Sequence, residues 1–384
     1  MIARLAVAFV LAAASGISTP VLAQTPPISA SRDACINSNN AAAEAAIAAC
    51  TRLIEALGRG EIAAAEGAAA HVARGNLHAV RGEIDRAIAD YDRAIVLDPT
   101  RSVAFFNRAS VLAASGEVVR ALADYDRAIA LNPRDADAYV GRGKLAFARQ
   151  DYEGAVADYD RAIAIDARNA EALVGRGDIA FVRRDFDAAV AAFNAAIAIE
   201  PMTLGARLGR ARALYMKADF AGAIADYDVA IRIAPDNLVA LAERGDAHER
   251  AGLYDRAAED YSRIIAVDPA NPRAWNNRCW DRALSGRLEE ALADCNEALR
   301  LLPDEPATLD SRGFTYLKLG RLDLAIADYD SVLARSPRAA SSLYGRGLAR
   351  LKRGDRDGGR ADVAAAQAAD PGIAAEFARY GVAE

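Results

Sequence analysis

The 384-residue sequence predicts an all-α array of stacked antiparallel helix pairs, on three observations. The segment DYDRAI stands at Asp90, Asp124 and Asp158, with DYDVAI at Asp226 and DYDSVL at Asp328, so the spacings are 34, 34, 68 and 102 residues. Laid out from Ala68 in blocks of 34, the chain yields nine repeats without an insertion or deletion, beginning at Ala68, Ser102, Ala136, Ala170, Leu204, Leu238, Pro272, Pro306 and Ala340. Apolar residues at helical spacing fill the second half of each block, as in Val156, Tyr159, Ala162, Ile163 and Ile165. A fixed period of this length marks units that bury a core only against their neighbours, so a length-based expectation of two or three globular domains does not apply.

The first 23 residues carry one positive charge at Arg4, an apolar run from Leu5 to Ala14, and Val21 and Ala23 in a small-residue cleavage pattern. This predicts a secretory signal with a mature chain starting at Gln24, exported and periplasmic. No later stretch approaches about 20 consecutive apolar residues, so no membrane span is expected. Residues 24–33 are expected to be flexible. Residues 34–67 read as a degenerate helical N-terminal cap, because AIAACTRLI matches the AIADYDRAI pattern seven residues out of phase.

Each of the nine repeats, spanning 68–373, divides into two helices. A small residue at column 8 lets them approach closely. Gly116, Gly252, Gly286, Gly320 and Gly354 supply a left-handed stop after the first helix, and Asp151, Asp185, Asp219 and Asp355 can cap the second. Asp135, Asn169, Asn237 and Asn271 can cap the next first helix, with Pro272 suited to its opening turn. Residues 374–384 form the C-terminal capping helix and tail, the helix starting near Ile373 and reaching Tyr380.

Alanine at column 20 (Ala87 through Ala325), an aromatic at column 24 (Tyr91, Tyr125, Tyr159, Phe193, Tyr227, Tyr261, Tyr329) and proline at column 32 (Pro99, Pro133, Pro201 and onward) together resemble the tetratricopeptide repeat. The departures are local: Ala167 at column 32, Gly359 at column 20 and Cys295 at column 24. The resemblance implies a right-handed α-solenoid, a superhelix of antiparallel helix pairs whose first helices line a concave groove, and a non-catalytic scaffold that binds protein or peptide partners. It implies no cofactor. A structural spacer or envelope-assembly factor without a discrete peptide ligand is the alternative.

Column 7, leucine in that family, is arginine in every repeat here, from Arg74 to Arg346. Column 23 is aspartate in all but the fourth, which has Ala192. Matched recurrence predicts a ladder of Arg–Asp pairs between packed helices; the alternative makes the arginines anion binders. Cys279 and Cys295 stand at columns 8 and 24 of the seventh repeat, which should meet, and Cys35 and Cys50 have nearly the same spacing. An exported chain meets an oxidising compartment, so two disulfides are expected, each closing about 15 residues and stabilising the fold by roughly 3 kcal/mol. Two buried thiol pairs are the alternative.

Carrying over the family's groove columns gives Phe106, Val140, Phe147, Val174, Phe181, Leu208 and Tyr215 as an apolar strip. Lys144, Asp178, Arg212 and Asp246 flank it, and Asn276, Trp280, Phe314 and Tyr344 follow. Aromatic anchors dominate such interfaces, and Trp280 stands out among them. Any of these side chains could instead pack against a neighbouring helix.

A formal charge of -6 argues against nucleic acid, and the three histidines lack the spacing of a metal pair. His71 and His78 sit seven apart, at core columns. The RGD triplets at Arg176 and Arg244 and the GRG triplets fall inside first helices, without the loop that adhesion or phosphate binding requires.

Overall fold

In a computed structural model, residues 28–36 and 43–383 are described. The segment expected to be a signal sequence lies outside them. The described chain is helical throughout and falls into two compact bodies divided after Pro133.

The first body begins with α1 (Ile28–Ile36) and α2 (Ala43–Gly58), followed by the first two repeats: α3 (Ala64–Val80), α4 (Ile84–Leu97), α5 (Ser102–Ala114) and α6 (Val118–Leu131). The expected flexible segment 24–33 is therefore helical from Ile28. Its α1 is anchored at several points, because Cys35 joins Cys50 with Cα atoms 4.8 Å apart, Arg52 Nε donates to Ser31 Oγ, and Arg32 pairs with Glu66. Helix α3 likewise starts four residues before Ala68, so part of the expected cap belongs to the first repeat.

The second body holds seven repeats. Their first helices are α7 (Ala136–Ala148), α9 (Ala170–Val182), α11 (Leu204–Met216), α13 (Leu238–Arg250), α15 (Pro272–Leu284), α17 (Pro306–Lys318) and α19 (Ala340–Arg353). The second helices are α8 (Tyr152–Ile165), α10 (Phe186–Ile199), α12 (Phe220–Ile233), α14 (Tyr254–Val267), α16 (Leu288–Leu301), α18 (Leu322–Arg335) and α20 (Arg356–Ala369), and α21 (Ile373–Arg379) ends the chain. Each pair stacks on the next, the layering of an α-solenoid.

The caps form where the side chains allow them. Asp135, Asn169, Asn237 and Asn271 accept the backbone N–H three residues on, as do Asp151, Asp185, Asp219 and Asp355. Column 15 takes a left-handed backbone in both bodies, at φ between 71° and 101° for Gly82, Gly116, Gly252, Gly286, Gly320 and Gly354. In repeats three to five the same geometry is forced on Gln150, Arg184 and Ala218, at φ 62° to 64°.

The core explains the small residues at columns 6 and 8. Tyr159 is 3% exposed and its ring lies between Gly143 of its own repeat and Gly175 of the next. A Cβ on Gly175 would stand 2.3 Å from Tyr159 Cζ. Phe193 sits the same way between Gly177 and Gly209. At these two joints the aromatic at column 24 is the bolt between adjacent repeats, and glycine on both sides admits it.

Candidate functional site

Eight column 7 arginines pair with the column 23 aspartate of their own repeat. In Arg244–Asp260 and Arg278–Asp294, for example, Nε and Nη2 of one guanidinium donate to the two carboxylate oxygens, at 2.5–3.0 Å. The same fork recurs at Arg74, Arg108, Arg142, Arg210, Arg312 and Arg346. These arginines are spoken for by the scaffold. The remaining amino group reaches back to column 25 of the preceding repeat: Arg108 to Asp92, Arg244 to Asp228, Arg278 to Ser262, Arg312 to Asn296 and Arg346 to Asp330. Sequence reasoning missed this second rung, although the polar recurrence at column 25 was there to read.

In the fourth repeat, where Ala192 replaces the aspartate, Arg176 pairs with Asp160 alone at 2.8 Å. A recess of about 290 Å³ lined by Arg176, Ala188 and Ala192 opens where the carboxylate would be.

The histidines serve the same ladder. His71 Nδ1 lies 2.8 Å from Asp90, and His248 Nδ1 lies 3.1 Å from Asp260. In the seventh repeat Cys279 and Cys295 are joined, with Cα atoms 5.4 Å apart, standing in for the glycine and the aromatic ring used elsewhere. No cluster of three potential metal ligands occurs among the described residues.

The residues expected to line a groove divide by burial. In the first body Phe106 is half-buried, edge-on to Tyr125. In the second body Phe147, Val174, Phe181, Leu208 and Tyr215 are half-buried, and Lys144 and Asp246 are exposed. Val140, Phe314 and Tyr344 are 2%, 1% and 3% exposed, so they are core residues, not groove lining. Phe314 and Tyr344 are covered by the chain's own end.

Three aromatic pairs step along the strip at the 34-residue period. Phe147 packs on Tyr152, Phe181 on Phe186 and Tyr215 on Phe220, with ring centroids 5.5–5.7 Å apart. The column 17 partners were not anticipated, yet Tyr152, Phe186, Phe220 and Tyr254 recur through four consecutive repeats. Each pair fixes a ring at the edge of the face, which limits the rotamer entropy that binding must freeze.

Beside Phe181 and Tyr215 a recess of about 270 Å³ is lined also by Arg212, Met216, Tyr227, Glu243 and Asp246. Arg212 Nε donates to both oxygens of Glu243, and Lys144 pairs with Glu171. Burial raises the Asp178 carboxyl to about 6, partly offset by the Arg212 guanidinium.

Further along, the floor is acidic. Asp281 is fully buried at column 10, where Ile179 and Ala213 stand in other repeats, and neither of its oxygens has a hydrogen-bond partner. Burial, with the Glu249, Asp246 and Asp260 carboxylates adding to it, pushes it up to about 9. Glu249 is raised by burial too and accepts from Trp280 Nε1 at 3.3 Å. Asn276 lies half-buried, lining a recess with Arg273 and Thr308.

The C-terminal segment lies over this part of the face. Tyr380 meets Trp280 edge-on at 5.4 Å, and Phe377 packs on Phe314 at 5.7 Å and on Tyr344 at 4.9 Å. Trp280 is therefore shared between the face and the chain's own end. No helix among the described residues is long and apolar enough to cross a membrane.

Comparison with known proteins places these features in a family. The family model described as Tetratricopeptide repeat matches residues 106–170, 164–202, 174–237, 243–306 and 312–372, and a second model of that description matches 68–101. A solved structure from a functional characterisation of Pseudomonas aeruginosa PilF is similar at 19% identity and TM-score 0.50, covering 54% of this chain and 95% of that one. A tetratricopeptide repeat protein from Parabacteroides merdae aligns at 17% identity and TM-score 0.45, over 64% of this chain and 97% of its own. PilW, a type IV pilus biogenesis factor, aligns at 17% and 0.49, over 53% and 94%. No curated protein matches.

Proposed function

Since the chain belongs to the tetratricopeptide repeat family, we propose that it is a non-catalytic scaffold that binds a protein or peptide partner through the first-helix face of its second body. The observation that carries this reading is the row of three braced aromatic pairs beside a recess whose polar groups, Arg212, Glu243 and Asp246, are already positioned. Apolar anchors set among fixed charges suit a short segment of a partner, where rings supply the affinity and charges the register.

The setting we propose is the periplasm, with residues 1–23 removed as a signal and the mature chain starting at Gln24. The pattern of Arg4, the apolar run and Ala23 supports it, as does the suitability of an oxidising compartment to two cysteine pairs.

The test is a crosslinking capture from periplasmic extract with the mature chain and a Phe181→Ala, Tyr215→Ala variant of unchanged helicity. A specific partner held by the wild type and lost by the variant is the expected result. Equal capture by both, or none, removes the groove from the account and leaves a spacer that works without a discrete ligand.

A further inference from the structure

The segment that ends the chain is built like a ligand of the face it covers. Helix α21 has seven residues, too few to hold a helix alone, and follows Asp370-Pro371-Gly372. One face of it carries Phe377 and, a turn later, Tyr380. Phe377 is 3% exposed between Phe314 and Tyr344, so a single ring spans two first helices, α17 and α19. Tyr380 reaches a third, α15, through Trp280.

The segment's backbone is also read. Lys318 Nζ donates to the Tyr380 carbonyl at 3.3 Å and to Ala283 O at 2.8 Å, which aims a desolvated ammonium at the exit of the last turn. Between the rings Arg379 is exposed. It borders, with Glu249 and Tyr254, a recess of about 490 Å³ that continues the face beyond the end of α21. Tyr380 donates its hydroxyl to Glu376 of its own helix, so the segment is held down by its rings, by the buried Ile373 and Val382 on either side of them, and by a single ammonium–carbonyl contact.

Resting on the groove-binding reading above, we propose that the face over repeats six to nine docks a partner helix bearing two aromatic rings one turn apart with an arginine between them, in place of α21. The tail is its built-in competitor. Bound partner and docked tail exclude one another, because both need Trp280 and Phe314.

The test uses the mature full chain and a fluorescent peptide with the sequence of residues 370–383. A Phe377→Ala, Tyr380→Ala variant releases the tail, and Arg379→Glu weakens its seat at an exposed position where folding is not at stake. Each released variant should bind the peptide at least tenfold more tightly than the wild type does. A peptide with both rings replaced by alanine should not bind.

If both released variants keep wild-type helicity and bind no peptide, or bind the ring-less peptide equally, the tail is a permanent cap and the proposal fails. A wild-type chain that dimerises with concentration by exchanging this segment assigns the face to a second copy and overturns the partner claim. Partner capture that depends on Phe181 and Tyr215 is read separately, so its survival would show that this inference alone had failed.

Discussion

Asp281 is the residue that costs this fold most visibly. Its carboxyl is shielded from water and unpartnered, and its pKa is raised to about 9. The unfolded chain ionises this group from about pH 4 while the folded chain keeps the proton to about pH 9. Between those values the unfolded state binds fewer protons, so stability falls as pH rises, by about 1.4 kcal/mol per unit. We expect Asp281→Asn to match the wild type near pH 4 and to exceed it by a few kcal/mol at pH 8, measured as urea midpoints across pH. Ala218 is a smaller strain: a left-handed backbone with a Cβ, in a column that is glycine in six other repeats. Ala218→Gly should raise stability by about 1 kcal/mol, read as an upward shift in Tm. Gly175→Ala should do the reverse by several kcal/mol, because its methyl would enter the Tyr159 ring.

Between elements, the ladder decides how helices are paired more than how strongly. Asp226 accepts from Arg210 twice and from Arg207 once, and its side chain is 3% exposed. Asp226→Ala would leave two guanidinium groups without their carboxylate, at a cost of roughly 3–5 kcal/mol in thermal or urea unfolding. The fourth repeat shows what escape looks like. With Ala192 in place of the aspartate, the Arg176 side chain is 36% exposed, against 21% for Arg210, and it keeps only Asp160. The pairing was legible because arginine and aspartate recur in fixed columns. The groove was less so, because its columns vary from repeat to repeat and burial there depends on neighbours: Phe314 and Tyr344 read as lining, but α21 covers them. Nothing in the spacing of Phe377 and Tyr380 said which way that helix would turn. The start of α1 was hidden similarly, since nine residues hold as a helix there through contacts with α2 and Glu66.

For the whole molecule, stability is a sum of repeats and the joints between them. The Cys279–Cys295 bridge ties α15 to α16 in the one repeat of the second body that has neither glycine at column 8 nor a ring at column 24 nor the extra tightness they bring. Reducing it should cost about 3 kcal/mol, and the loss should be local. Hydrogen exchange under reducing conditions should quicken first in α15–α18 while α7–α10 keep their protection. Uniform acceleration along the second body would show that it unfolds as one cooperative block.

The backward reach of the column 7 arginines gives the described joints within each body the same lock and key. A repeat offers an acceptor at column 25 on its trailing side and an arginine fork on its leading side, so an excised or duplicated block of 34 residues leaves matched ends to be rejoined. At the two ends of the series the key is altered: Thr51 of α2 receives Arg74, and the ninth repeat has Ala364 at column 25, with no acceptor to present. A block exchanged in the interior of the series would therefore meet a matching acceptor, while the ninth repeat offers none at that column.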